Sequence, residues 1–182
     1  MKRLLPILLI FLMGCSGPDP AMEAAMDLRS RCLSEITVTF SAEVRADYIT
    51  RIEEFELECA SEPDGTLSFR VLEPEDIADI QGTVRGSEGT VEFNETVLAF
   101  PLMADGRLSP LSGPWVVMKA IRSGCILAAG REGELIHVTI DDSYEENALT
   151  VDLWLEDGRP EEAEIAWEGR RVLSMTFDDF SA

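Results

Sequence analysis

Ile36-Thr37-Val38-Thr39-Phe40, Phe55-Glu56-Leu57-Glu58-Cys59 and Leu67-Ser68-Phe69-Arg70-Val71 are three short runs in which apolar residues recur at every second position. A period of two puts apolar side chains on one face of a strand and polar ones on the other, the pattern of half-buried antiparallel sheet. Pro63-Asp64-Gly65 lies between the second and third runs and reads as a tight turn. A hairpin turning near Arg45-Ala46 is expected between the first two.

The rhythm continues outward through Thr83 to Arg85, Thr90 to Phe93 and Val97 to Phe100. It returns later as Cys125 to Ala129, Leu135 to Ile140, Leu149 to Leu155, Ala163 to Trp167 and Val172 to Phe177. Asp157-Gly158 and Glu168-Gly169 are hairpin-type turns. Two helices interrupt the β pattern. Pro20 to Leu33 follows Asp19 as a cap, with Met22, Ala25, Met26, Cys32 and Leu33 at one-face spacing. Pro114 to Ser123 begins after Ser112-Gly113 and is nearly all apolar from Trp115 to Ile121, so it is expected to be buried. Lys119 and Arg122 fall near its C-terminus, where the helix dipole favours positive charge. The fold class expected is mainly β (α+β): one strongly curved antiparallel sheet forming an unclosed barrel, an N-terminal helix, and an inserted helix on the concave side.

Lys2 and Arg3 precede an apolar run, Leu4 to Met13, that ends at Gly14-Cys15. The run is about half of the roughly 20 residues a spanning helix needs, so it reads as a cleavable signal and not as a transmembrane anchor. Leu12-Met13-Gly14-Cys15 resembles the lipobox of bacterial lipoproteins, which implies a diacylglycerol joined to Cys15 through a thioether. The division expected is residues 1–14 as signal peptide, 15–24 as lipidated tether and 25–182 as one folded domain on the extracytoplasmic face of the membrane.

The chain has 15 basic and 35 acidic residues, a formal charge of −20. Loss of Lys2 and Arg3 with the signal would take it to about −22. Such a surface excludes nucleic acid as a partner, since phosphate binding draws on clustered Lys and Arg. It also keeps the domain off anionic headgroups, so the membrane is contacted through the lipid alone. With Cys15 lipidated, Cys32, Cys59 and Cys125 remain. Either Cys32 and Cys59 form a disulfide across the first hairpin or all three are buried thiols. No clustered Cys/His spacing suggests a metal. His137 sits between Ile136 and Val138 and should face away from them, without a matched nucleophile, so no catalytic residue and no enzyme activity is expected. Asp141-Asp142-Ser143-Tyr144-Glu145-Glu146 lacks the glycine and glutamate spacing of an EF-hand and reads as a solvated turn.

Three stretches carry a wider likeness: Glu73-Pro74-Glu75-Asp76-Ile77-Ala78-Asp79-Ile80, Leu108-Ser109-Pro110 ahead of the inserted helix, and the closing run Val172 to Phe180. Together they resemble LolA/LolB-type lipoprotein carrier domains, in the variant borne by lipoproteins of low-GC, single-membrane bacteria. The resemblance implies a half-barrel whose concave face is covered by helices and holds a lipid or other apolar ligand, with no cofactor beyond the covalent lipid. Trp115, Met118 and Ile121, facing some of Phe69, Phe93, Val138 and Leu153, are the candidate lining. A fixed anchor at Cys15 suits a receiving or sensing monomer better than a shuttle. The alternative is an envelope interaction or sensor protein built on the same scaffold, its interior filled and its partner another envelope protein.

Overall fold

A computed structural model describes residues 19–48, 51–93, 96–104, 107–145 and 148–182, so the expectations for the signal segment and Cys15 lie outside the described residues. The chain opens with α1 (Pro20–Ser34), where the Asp19 carboxylate accepts a hydrogen bond from the Ala21 amide at 3.0 Å and Pro20 occupies the first turn. Its buried face is Ala21, Ala25, Leu28 and Cys32. Met26 and Leu33, expected on that face, are about half exposed because the buried stripe follows the small residues that let the helix approach the sheet.

Six strands follow as a meander: β1 (Val38–Asp47), β2 (Ile52–Ser61), β3 (Leu67–Glu73), β4 (Gln81–Arg85), β5 (Glu88–Phe93) and β6 (Thr96–Pro101). A two-stranded pair, β7 (Met103–Ala104) and β8 (Arg107–Leu108), then leads into α2 (Gly113–Ser123). A second meander comprises β9 (Cys125–Glu132), β10 (Leu135–Asp141), β11 (Thr150–Glu156), β12 (Arg159–Trp167) and β13 (Arg170–Ser181). The two meanders are joined by antiparallel pairing of the first strand with the last. The result is one 11-stranded sheet in the order β6-β5-β4-β3-β2-β1-β13-β12-β11-β10-β9, not closed into a barrel.

Alternation dictates the layers. In β1, Val38, Phe40, Ala42, Val44 and Ala46 are buried against the helices, while Thr39, Glu43, Arg45 and Asp47 point outward. Asp157-Gly158 and Glu168-Gly169 each hold two consecutive positive φ angles, 48° with 77° and 51° with 74°, the geometry of a tight hairpin whose twist matches its strands. Phe40 stacks on Phe180 and meets Phe177 edge-on, both with centroids 5.6 Å apart, so the closing strand locks to the opening one.

The first hairpin differs from expectation. Ala46 is still in β1, and the chain reverses after Asp47, with the Tyr48 amide donating to the Arg51 carbonyl at 3.0 Å. Cys59 therefore lies opposite Phe40, while Cys32 belongs to α1 and Ile36 precedes the sheet, 80% exposed. Of the two arrangements left open for the cysteines, the structure has the thiols: Cys32, Cys59 and Cys125 are all free, the first two buried and the third half-buried. Burial pushes the Cys32 thiol up to about 11, partly offset by Arg122 and Arg31, and pushes Cys59 higher still.

Candidate functional site

The concave face is where the sequence places a ligand, and α2 occupies it. Eight of its residues are buried: Gly113, Pro114, Trp115, Val116, Val117, Met118, Ala120 and Ile121. Such a helix has no free apolar face, since it packs sheet on one side and α1 on the other. Gly124 follows its last residue with extended backbone, and only glycine fits there: a Cβ would lie 2.6 Å from the Asp141 carbonyl oxygen and 2.6 Å from the Ile140 side chain.

Six of the seven candidate lining residues, Trp115, Met118, Ile121, Phe69, Val138 and Leu153, are brought together in one buried cluster. Phe93 is not among them; it lies on β5 and is 55% exposed. Its face is the expected one, since Val91 two residues earlier shares that face with Gly82 and Phe69 across β4 and β3. The sheet simply runs on past the end of the helix. Between α1, α2 and β9–β11 there remains a void of about 10 Å³ lined by Ala25, Leu28, Ile121, Ile126, Val138, Leu153 and their neighbours. That is room for about one water-sized probe, against the several hundred cubic ångströms of an ordinary ligand pocket.

Polar bonds fasten the helix at both ends. Arg29 of α1 donates to the carbonyl oxygens of Ile121 at 2.6 Å, Gly124 at 2.8 Å and Ala120 at 3.3 Å. The Ala120 carbonyl also accepts the Gly124 amide at 2.9 Å, whereas those of Ile121 and Gly124 lie at the helix end, where carbonyls lack intrahelical donors and the dipole is negative. Arg122 reaches back to the Cys32 and Ser61 carbonyls, both at 3.2 Å, and to that of Glu62. Burial lowers its pKa, with Cys32, Asp64 and Glu62 opposing the shift. Trp115 donates its indole N–H to the Gly65 carbonyl at 2.8 Å, fixing the helix start to the β2–β3 turn.

Lys119 completes the fastening, its ammonium 2.8 Å from the Asp142 carboxylate and 5.5 Å from the Trp115 ring centroid. Asp142 is buried, and its other oxygen accepts the Leu149 amide at 2.8 Å. The expectation of a wholly solvated acidic turn is therefore corrected: one of its carboxylates is turned inward because a cation and an unpaired amide meet it there. Sequence reasoning missed Arg29 and Asp142 alike. Their partners lie 91 to 95 and 23 residues away respectively, and no local pattern marks such pairs.

On the outer face, His137 stacks on Trp154 with centroids 4.7 Å apart and shares Asp152 with Thr139, at 2.9 and 2.7 Å. This is the outward, interstrand setting expected of it. Among the described residues no group of three or more His, Cys, Asp or Glu is placed to hold a metal ion. An open groove of about 710 Å³ crosses β3, β2, β1, β13 and β12, lined by Glu43, Glu54, Glu56, Glu73, Glu162 and Glu164 with Arg45, Phe55 and Pro74.

No family model matches this sequence, and neither does any curated protein. Solved structures of similar outline exist. A LolA superfamily protein from Nitrosomonas europaea is 10% identical, covers 88% of this chain and 92% of its own, and has a TM-score of 0.48. An outer-membrane lipoprotein-sorting protein domain from Vibrio parahaemolyticus is 9% identical over 89% of this chain and 92% of its own, TM-score 0.49. The Mycobacterium tuberculosis lipoprotein LppX is 11% identical over 89% and 96%, TM-score 0.40.

Proposed function

We propose that this chain is an extracytoplasmic lipoprotein, tethered through lipid on Cys15, that works by docking another envelope protein on its outside while its own side chains fill the half-barrel. The observation that carries this reading is the part of the concave face beneath α2, where among the described residues a void of about 10 Å³ remains between the helices and β9–β11, together with the fastened helix. An acyl chain in that place would have to displace α2. Re-exposing Trp115, Val116, Val117, Met118 and Ile121 costs on the order of 10 kcal/mol at about 1.5–3 kcal/mol per side chain. That is comparable to the whole stability of a typical domain. The tether reading rests on the sequence Lys2 to Cys15; among the described residues no helix is long and apolar enough to cross a membrane.

Native mass spectrometry of a soluble form, Ser16 to Ala182, recovered from cells tests the reading. The expected result is the bare polypeptide mass. A non-covalent lipid that leaves on collisional activation would instead favour the second reading, a binder whose helix swings out. Fractionation tests the tether separately: Cys15→Ser should lose membrane association, and a variant that stays with membranes would refute it.

A further inference from the structure

The 11-stranded sheet has two edges, β6 and β9, and they are treated differently. An edge strand leaves every second residue's N–H and C=O unpaired, and proteins guard such edges with charged side chains, coverage or irregularity. β9 is flanked by α1, carries Arg131 and Glu132, and its Glu132 carboxylate accepts the Trp154 indole N–H at 2.9 Å. Among the described residues β6 has neither a covering helix nor a charged side chain, and only Pro101 at its end breaks the edge. Thr96-Val97-Leu98-Ala99-Phe100-Pro101 holds no charged residue, in a chain that is 27% charged. Val97 and Leu98 point to opposite faces and are 63% and 56% exposed.

Resting on the reading that the chain acts through its outside, we propose that β6 is the docking edge, accepting an extended segment of another protein as a twelfth strand. The chemistry of that segment follows from what surrounds the edge. Its middle should be uncharged with apolar or β-branched residues at alternate positions, since one set would lie beside Leu98 and Phe100 and the other beside Val97 and Ala99. Its flanks should be basic. Glu88 and Glu92 are exposed on β5, opposite Pro101 and Val97, and share their outer face. A second copy of this chain would bring its own charge of −20 against these carboxylates. An anionic lipid surface would be repelled in the same way. A positively flanked strand is steered in by the same field.

The test uses the full-length chain in lipid nanodiscs and a fluorescent peptide, Lys-Lys-Thr-Val-Thr-Val-Thr-Val-Lys-Lys, read by anisotropy. Binding is expected, at least about tenfold tighter than for the same core flanked by glutamates. Val97→Lys with Leu98→Lys, both at exposed positions, should abolish it, Glu88→Gln with Glu92→Gln should weaken it, and Leu127→Glu on the opposite edge should leave it unchanged. No binding, equal binding of both peptides, or indifference to the β6 variants would overturn the assignment. So would a wild-type dimer that the β6 variants dissociate, which would make a second copy the occupant. A lipid found by native mass spectrometry would refute the filled-interior reading; a bare mass with no peptide binding would refute only the β6 edge.

Discussion

Arg29→Met should loosen α2 while leaving the sheet intact. Methionine keeps most of the aliphatic stem, so the change removes mainly the guanidinium and its bonds to the Ile121, Gly124 and Ala120 carbonyls. Hydrogen bonds to a charged group contribute about 1.5–3 kcal/mol each when intact. The bond at 3.3 Å is the weakest of the three, and the freed carbonyls regain part of their loss from water because the site is only half-buried. A net cost of about 3 kcal/mol follows, which for a domain of this size lowers Tm by roughly 6–12 °C. Urea unfolding followed by tryptophan fluorescence checks it, since Trp115 sits at the far end of the same helix. The midpoint should fall with an unchanged slope. A loss under about 1 kcal/mol would show that the arginine sits on the helix without holding it, and the reasoning would fail.

Asp142→Asn keeps an acceptor for the Leu149 amide and removes the partner of Lys119, so urea unfolding should show a loss of about 1–2 kcal/mol, with Asp142→Leu costing more. Leu153→Ala should cost about 2–5 kcal/mol and Phe93→Ala within about 0.5, a contrast in thermal midpoints that would vanish if Phe93 belonged to the packed core. Stability against pH should be level through neutrality and fall above pH 9.0: unfolded thiols ionise there, while Cys32 stays protonated until about 11, so the contribution present below the lower value is lost as pH rises through the higher. Dithiothreitol should leave the unfolding midpoint unmoved, because there is no bridge among these thiols to reduce; a reducible stabilisation would contradict the free-thiol assignment.

Much of the architecture was legible in the chain. Alternation in β1 to β3 and in β10 to β12 names the buried face directly, because a strand's side chains have only two directions to take. The inserted helix was legible from a run too apolar to be anything but covered. Its surroundings were not. Whether apolar residues on two elements fill each other or leave room depends on how the sheet curves, and no residue pattern states curvature. Phe93 illustrates this: its face was readable, but the length of sheet the helix would reach was not. Cys32 and Cys59 show the effect of boundaries, since the first hairpin pairs Asp47 with Ile52 and so turns beyond Arg45-Ala46, which sets Cys59 opposite Phe40 and leaves Cys32 in α1. Arg29 and Asp142 were invisible for a different reason: the Ile121 carbonyl that meets the first and the Lys119 ammonium that meets the second come within reach only through the tertiary fold.

Amide hydrogen exchange along Gly113–Ser123, with and without phospholipid vesicles, most directly asks whether this helix is a fixed wedge or a movable cover. Protection equal to that of β1 and β13, and unchanged by lipid, is the result expected of a helix whose opening requires unfolding the domain. Rapid exchange confined to those eleven residues, or protection lost when lipid is added while the sheet keeps its own, would contradict the filled half-barrel.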